Sequence, residues 1–133
     1  MPSFIDKLAW IHLKDKQVLG TRSKGKDTYY IPGGKREKDE SDLQALEREI
    51  TEELNVQLIP DTVRFVGKFE AQAHGKPEGT LVRMSCYTGD YEGILKASSE
   101  IEELCWLKFE DRGKTSPVDI LILTWLKNQD LID

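Results

Sequence analysis

Between Pro32 and Val56 the chain reads PGGKREKDESDLQALEREITEELNV, a Pro-Gly-Gly turn feeding one helix, and no other segment so limits what can be built around it. Ser41 followed three positions on by Gln44 is a capping box, with the serine accepting from the Gln44 amide and Asp42 favoured by the positive end of the helix. Leu43, Leu46, Ile50 and Leu54, at spacings of three and four, form an apolar stripe that must dock on a core.

The face beside that stripe carries Glu49, Glu52 and Glu53 at i, i+3 and i+4, within an arc of about 100°. Like charges at these spacings repel, and a solvated helix would intersperse lysines among them. A divalent cation turns the repulsion into coordination, and an all-oxygen carboxylate set suits magnesium or manganese better than zinc. Arg48 lies one turn before Glu52, where a guanidinium can orient a carboxylate without competing as an acceptor.

The rest of the chain is consistent with one domain over residues 1–133, without a Pro/Gly/Ser-rich linker, repeat or low-complexity tract. No apolar run reaches the ~20 residues that cross a bilayer. Asp6 and Lys7 interrupt any signal-peptide pattern, so the expected location is the cytoplasm with no membrane association. A net charge of −5 argues against a large nucleic-acid surface. It leaves room for a small nucleotide, because Arg22, Lys24, Lys26, Lys35, Arg36 and Lys38 gather ahead of the carboxylate helix. Cys86 and Cys105 lie in apolar, strand-like surroundings and read as reduced structural thiols. His12 alternates with strand residues and reads as structural, whereas His74 falls in a loop within reach of a ligand.

Read coarsely, strands are expected at residues 4–13 and 17–21 around a turn at Asp15-Lys16, then at 28–31, 56–59, 63–71, 80–88 and 104–109. A second helix is expected over residues 117–127, opened by Pro117. Two helices on opposite sides of a mixed sheet give an α/β fold, an α/β/α sandwich.

The spacing of Gly34, Glu40, Arg48-Glu49-Ile50, Glu52-Glu53 and Asn55-Val56 resembles the box of the Nudix hydrolases, with Pro32-Gly33-Gly34-Lys35 resembling the usual approach to it. One position departs: the family usually has Gly where this chain has Asn55, at the end of the helix. Asn is the next best residue there for the left-handed conformation. The resemblance implies the same α/β/α sandwich, magnesium held by Glu49, Glu52 and Glu53 with manganese as a substitute, and supporting parts for Glu40 and Arg48. It also implies a further carboxylate from a later loop shortly before a Trp, and Glu100, Glu102 and Glu103 all precede Trp106. Glu100 is favoured because it falls in the loop. Glu49 or Glu53 would act as general base. Arg22 and Lys35 would contact phosphates beside Gly33 and Gly34, and Tyr30 or Tyr29 would stack on a base.

The implied reaction is hydrolysis of a phosphoanhydride in a small nucleotide, first among them a (deoxy)nucleoside triphosphate giving monophosphate and pyrophosphate. Thr115-Ser116 stand where the oxidised-purine branch often has an Asn. Gln72 stands in the region where the nucleotide-sugar branch has a Pro and the dinucleoside-polyphosphate branch a Tyr. Those two substrate classes remain alternatives, as does a binding module that holds nucleotide without cleaving it. A homodimer would be ordinary for an enzyme of this size.

Overall fold

β1 (Ser3–Trp10) opens the part of the chain that the computed structural model describes, residues 3–133. It is followed by β2 (Leu13–Lys14), β3 (Gln17–Ser23), β4 (Tyr29–Tyr30), β5 (Gly33–Lys35) and α1 (Asp42–Leu54). Then come β6 (Gln57–Leu58), β7 (Arg64–Gln72), β8 (Thr80–Thr88), β9 (Tyr91–Glu92), β10 (Ile101–Leu107) and α2 (Pro117–Asn128), with short 3-10 turns at Pro60–Thr62 and Phe109–Lys114. One sheet has the order β5-β1-β8-β7, in which β1 and β8 run parallel and the outer pairs antiparallel. The other is built on β3, which pairs antiparallel with β10, β2 and β4.

Side chains alternate across these strands, so each strand feeds two cores. Leu8, Trp10 and Leu19 pack with Leu46, Ile50 and Leu54 of α1. Their sequence neighbours Ala9, Ile11 and Val18 pack with Ile122, Leu123 and Leu126 of α2. The helices therefore cover opposite faces of a mixed-sheet layer, the α/β/α arrangement expected from the sequence. Among the described residues no helix is long and apolar enough to cross a membrane.

The capping box forms as the sequence requires: the Gln44 amide donates to Ser41 Oγ at 3.1 Å and the Ser41 amide to Gln44 Oε1 at 2.9 Å. At the other end Asn55 has φ 59°, left-handed, and its amide donates to the Thr51 carbonyl. Leu43 is only half-buried, and Ala45 joins Leu46, Ile50 and Leu54 on the docked face.

Several element boundaries differ from the sequence expectation. The first strand stops at Trp10, because Ile11 and His12 leave the ladder to bond singly with Tyr87 and Leu19. Asp15 and Lys16 form the expected tight turn, both with positive φ. Gly33 and Gly34 are not a free turn but part of β5, paired with Ala9 and Leu8 of β1. A Cβ on Gly33 would fall 1.9 Å from the Leu8 carbonyl oxygen, so only glycine lets the two backbones meet. β10 begins at Ile101, earlier than expected, because a bulge between Ile101 and Glu103 lets it stay paired with β3.

Asp119, fully buried in the first turn of α2, ties that helix to the segment leading into β5. Its carboxylate accepts from the Ile31 amide at 3.2 Å and from the Ser116 hydroxyl. Burial pushes its pKa up to about 6 against the pull of those bonds. An unfolded Asp titrates near pH ~4. Between the two values the folded state binds more protons, so this group lowers stability as pH rises through that window and adds no further slope above about pH 6. Denaturant unfolding across that range should therefore show a component on the order of 3 kcal/mol. Asp119→Asn should flatten it, and an identical slope in the variant would refute the assignment. At the far end of α1, Asn55→Ala should cost about 1 kcal/mol by the same measurement, and Asn55→Gly should stay within roughly 0.5 kcal/mol of the parent.

Candidate active site

A cavity of about 340 Å³ opens where the end of α1, β5 and the start of β10 converge. Glu49 and Glu53 reach it from α1, Lys35 and both glycines from β5, Tyr30 from β4, Lys7 from β1 and Glu100 from the turn before β10. Backbone bonds carry that last turn to the helix: the Ser98 amide donates to the Glu53 carbonyl and the Lys96 amide to that of Leu54. Glu100 thus faces the α1 carboxylates because its loop hangs from the final turn of their helix.

Glu53 is the deepest of these carboxylates, with 7 % of its surface exposed, and its Oε1 accepts from the Gly33 amide at 3.2 Å. Burial pushes its pKa up to about 8, with Glu49 and Glu100 adding to the rise and the Gly33 amide and Lys7 opposing it. Glu49 is also raised by burial, against the pull of Arg48, whose Nη1 donates to it at 2.7 Å. Arg48 reaches further: Nε and Nη2 donate to the two oxygens of Glu40 at 2.8 and 2.9 Å, and Nη2 also to the Lys35 carbonyl at 3.0 Å. This bidentate pair, helped by the Glu37 amide, pulls the Glu40 carboxyl down to about 2. The guanidinium therefore staples the loop after β5 to the helix. Gly34 completes the fit, since a Cβ there would lie 2.3 Å from Glu49 Oε2.

Of the residues singled out from sequence, Glu49, Glu53, Glu100, Gly33, Gly34, Lys35 and Tyr30 line this cavity. Glu52 does not: its side chain is 54 % exposed and its Arg48 contact is long, at 3.7 Å. Arg48, expected to orient Glu52 one turn on, makes that contact only at 3.7 Å and gives its short bonds to Glu40 and Glu49. Arg22 is also outside. It lies between Thr21 and Ser23, which do line the cavity, so the pleat turns it away, toward Glu103 at 2.8 Å and the Lys26 carbonyl. Glu103 is held there together with Tyr29, and Glu102 is exposed. Sequence reasoning missed Lys7, which it read only as interrupting a signal-peptide pattern; Lys7 lines the cavity. The signal was the period of two that places it on the same strand face as Ala9, an inward position.

The donor set fits a hard divalent cation: three carboxylates border one cavity, and their mutual repulsion is what such an ion would relieve. Among the described residues no three acidic, His or Cys side chains are already gathered into one coordination shell. Glu53 accepts from the Gly33 amide and Glu49 from Arg48.

The family model described as NUDIX domain matches residues 8–126. Among solved structures, the ORF135 protein of E. coli is 28 % identical, with a TM-score of 0.73 over 96 % of this chain and 94 % of that one. The MutT protein of Methanosarcina mazei shares the fold at 19 % identity and a TM-score of 0.75, over 97 % and 96 % of the two chains. A MutT protein of Bacillus halodurans does so at 22 % identity and 0.69, over 90 % and 80 %. No curated protein gives a significant match. Enzymes of this family act on small nucleotide substrates and typically use a divalent metal. With its model matched over most of the sequence and its fold shared with these structures, the chain belongs to the Nudix family and is a hydrolase of phosphoanhydride bonds.

Proposed function

We propose that the chain, acting as one domain over residues 1–133, is a magnesium-dependent diphosphohydrolase that converts a nucleoside triphosphate into monophosphate and pyrophosphate. The observation that carries this reading is the meeting of Glu49, Glu53 and Glu100 with Lys35 and the glycine pair around one cavity. Glu49, Glu53 and Glu100 would hold the ion, with Glu52 joining from the rim and manganese able to replace magnesium. The bound ion supplies charge neutralisation on the phosphate oxygens and makes water more acidic.

The remaining work falls to the chain itself. Arg48 fixes Glu49 and the loop through Glu40, so the carboxylates and the Gly-Gly strand keep their spacing. Glu53, bonded only to the Gly33 amide and not to a cation, is the freer of the two helix carboxylates, and we assign it as acceptor of the attacking water's proton. Lys35 contacts the phosphates, and the absence of side chains at Gly33 and Gly34 lets them approach the backbone. Tyr30 packs beside the nucleoside. Arg22, engaged with Glu103, has no part in this reading. The departure at Asn55 gives no support to a binding-only module, because that residue closes α1 through its left-handed backbone.

The test is a screen of nucleoside triphosphates, nucleotide sugars and dinucleoside polyphosphates with magnesium, scored by product identity. Triphosphates should yield pyrophosphate. Glu53→Gln should lower kcat by about a thousandfold or more, some 4 kcal/mol of transition-state stabilisation, with little change in KM. Undiminished turnover would overturn the assignment. Magnesium at about 100 times its Kd should raise the unfolding free energy by about 2.7 kcal/mol. A melting temperature that does not respond to magnesium would speak against a metal site at these residues.

A further inference from the structure

Lys7 and Lys35 are direct cross-strand partners of β1 and β5. Among the described residues neither forms an ion pair, although the chain carries a net charge of −5. Like charges placed opposite each other across two strands are destabilising. Lys7 is half-buried, and burial lowers its pKa; Lys35 acts in the same direction, while Asp119, Glu53 and Glu49 pull the other way. Its ammonium sits 5.8 Å from the centre of the Tyr30 ring, and among the described residues no acceptor takes a hydrogen bond from it. The fold thus holds two cations opposite each other at one point, drawn by nearby carboxylates but with no direct ionic partner among the described residues.

That point is a junction. Both lysines line the cavity of the glutamates and also a smaller one of about 80 Å³ on their other side. No carboxylate lines the smaller cavity, whose rim adds His74 and Lys76 from the loop between β7 and β8. Ser116 and Val118, at the start of α2, border it too, and the Ser116 hydroxyl is turned to Asp119 and does not cap the helix. The positive end of the α2 dipole therefore adds to the same field. Glu49, Glu53 and Glu100 line the larger cavity and not the smaller one; the buried Asp119 at the start of α2 also attracts Lys7, but it is engaged by Ser116 and the Ile31 amide and lines neither cavity, which leaves the two lysines open to an anion bridging toward the glutamates.

We propose that Lys7 is a substrate-binding residue, forming with Lys35 a two-lysine clamp that grips one phosphate group of the substrate where the two cavities meet. This rests on the hydrolysis proposed above and extends it, since Lys7 belongs to no part of the box. The clamped phosphate comes either from the pyrophosphate that leaves or from the monophosphate that is retained. Between two ammonium groups it turns a repulsive pair into two charge-assisted contacts.

Calorimetric titration of the metal-free protein with inorganic pyrophosphate, and separately with a nucleoside monophosphate, tests this without catalysis. Lys7→Met should weaken at least one of the two ligands tenfold or more, and Lys7→Arg should restore most of the loss. The ligand that suffers more identifies the clamped phosphate. Lys7→Met and Lys35→Met should be non-additive for that ligand, because both touch the same group. Glu53→Gln should bind pyrophosphate at least as tightly as the parent while failing to turn over, so failure of the clamp reads in affinity and failure of the proposed reaction reads in turnover. Parent-like affinity of Lys7→Met for both ligands, or no binding of either by the metal-free parent, would overturn the proposal.

Discussion

The bonds made by Arg48 hold the site in one piece. The Gly33 amide on Glu53 and Arg36 on Asp42 also join the helix to the segment before it, but neither fixes the loop between Lys35 and Ser41 against the carboxylates. The guanidinium spans that gap by taking both oxygens of Glu40, one of Glu49 and the carbonyl of Lys35. A planar fork with fixed donors suits this task, whereas a lysine could not serve four acceptors in fixed directions. Because Glu40 precedes the helix and Glu49 lies within it, the same side chain sets the distance between loop and carboxylate wall.

Backbone contact does the matching work on the opposite side. β5 reaches β1 only because Gly33 has no Cβ, and that pairing brings Lys35 opposite Lys7 and the Gly33 amide to Glu53. The carboxylates consequently lie in a recess whose other wall is cationic. Most of the charge in this acidic chain is solvated, but here it is sorted by sign across one cavity. In a recess with reduced water access, such sorting counts for more than net charge in selecting a phosphate.

What could be read from the sequence was what neighbours along the chain decide. The capping box, the apolar stripe, the left-handed Asn55 and the carboxylate spacing depend on residues within a few turns of one another, and the structure has them. Glu100 was legible for a related reason, since its turn falls just before β10. Arg22 does not line the cavity, because a cation near the site says nothing about which face of β3 it occupies. Its partner Glu103 is 81 residues away, and the pleat decides the matter. Lys7 was missed for the converse reason. The period of two marks it as inward-facing, but it comes to line the cavity only when β5 pairs with β1, and no local pattern announces that pairing.

The buried acids show how the fold accommodates chemistry that opposes stability. Asp119 and Glu53 are both withdrawn from water and both have raised pKa values, but their surroundings differ. Asp119 accepts from Ser116 and the Ile31 amide, so its cost is partly offset by bonds that anchor α2. Glu53 has one 3.2 Å bond to Gly33 and faces two further carboxylates. A purely structural acid would gain from the first environment and lose in the second. A carboxylate kept under-satisfied beside like charges is what selection for stability alone would remove, and its retention at the end of α1 follows if its partner is a ligand of the folded enzyme.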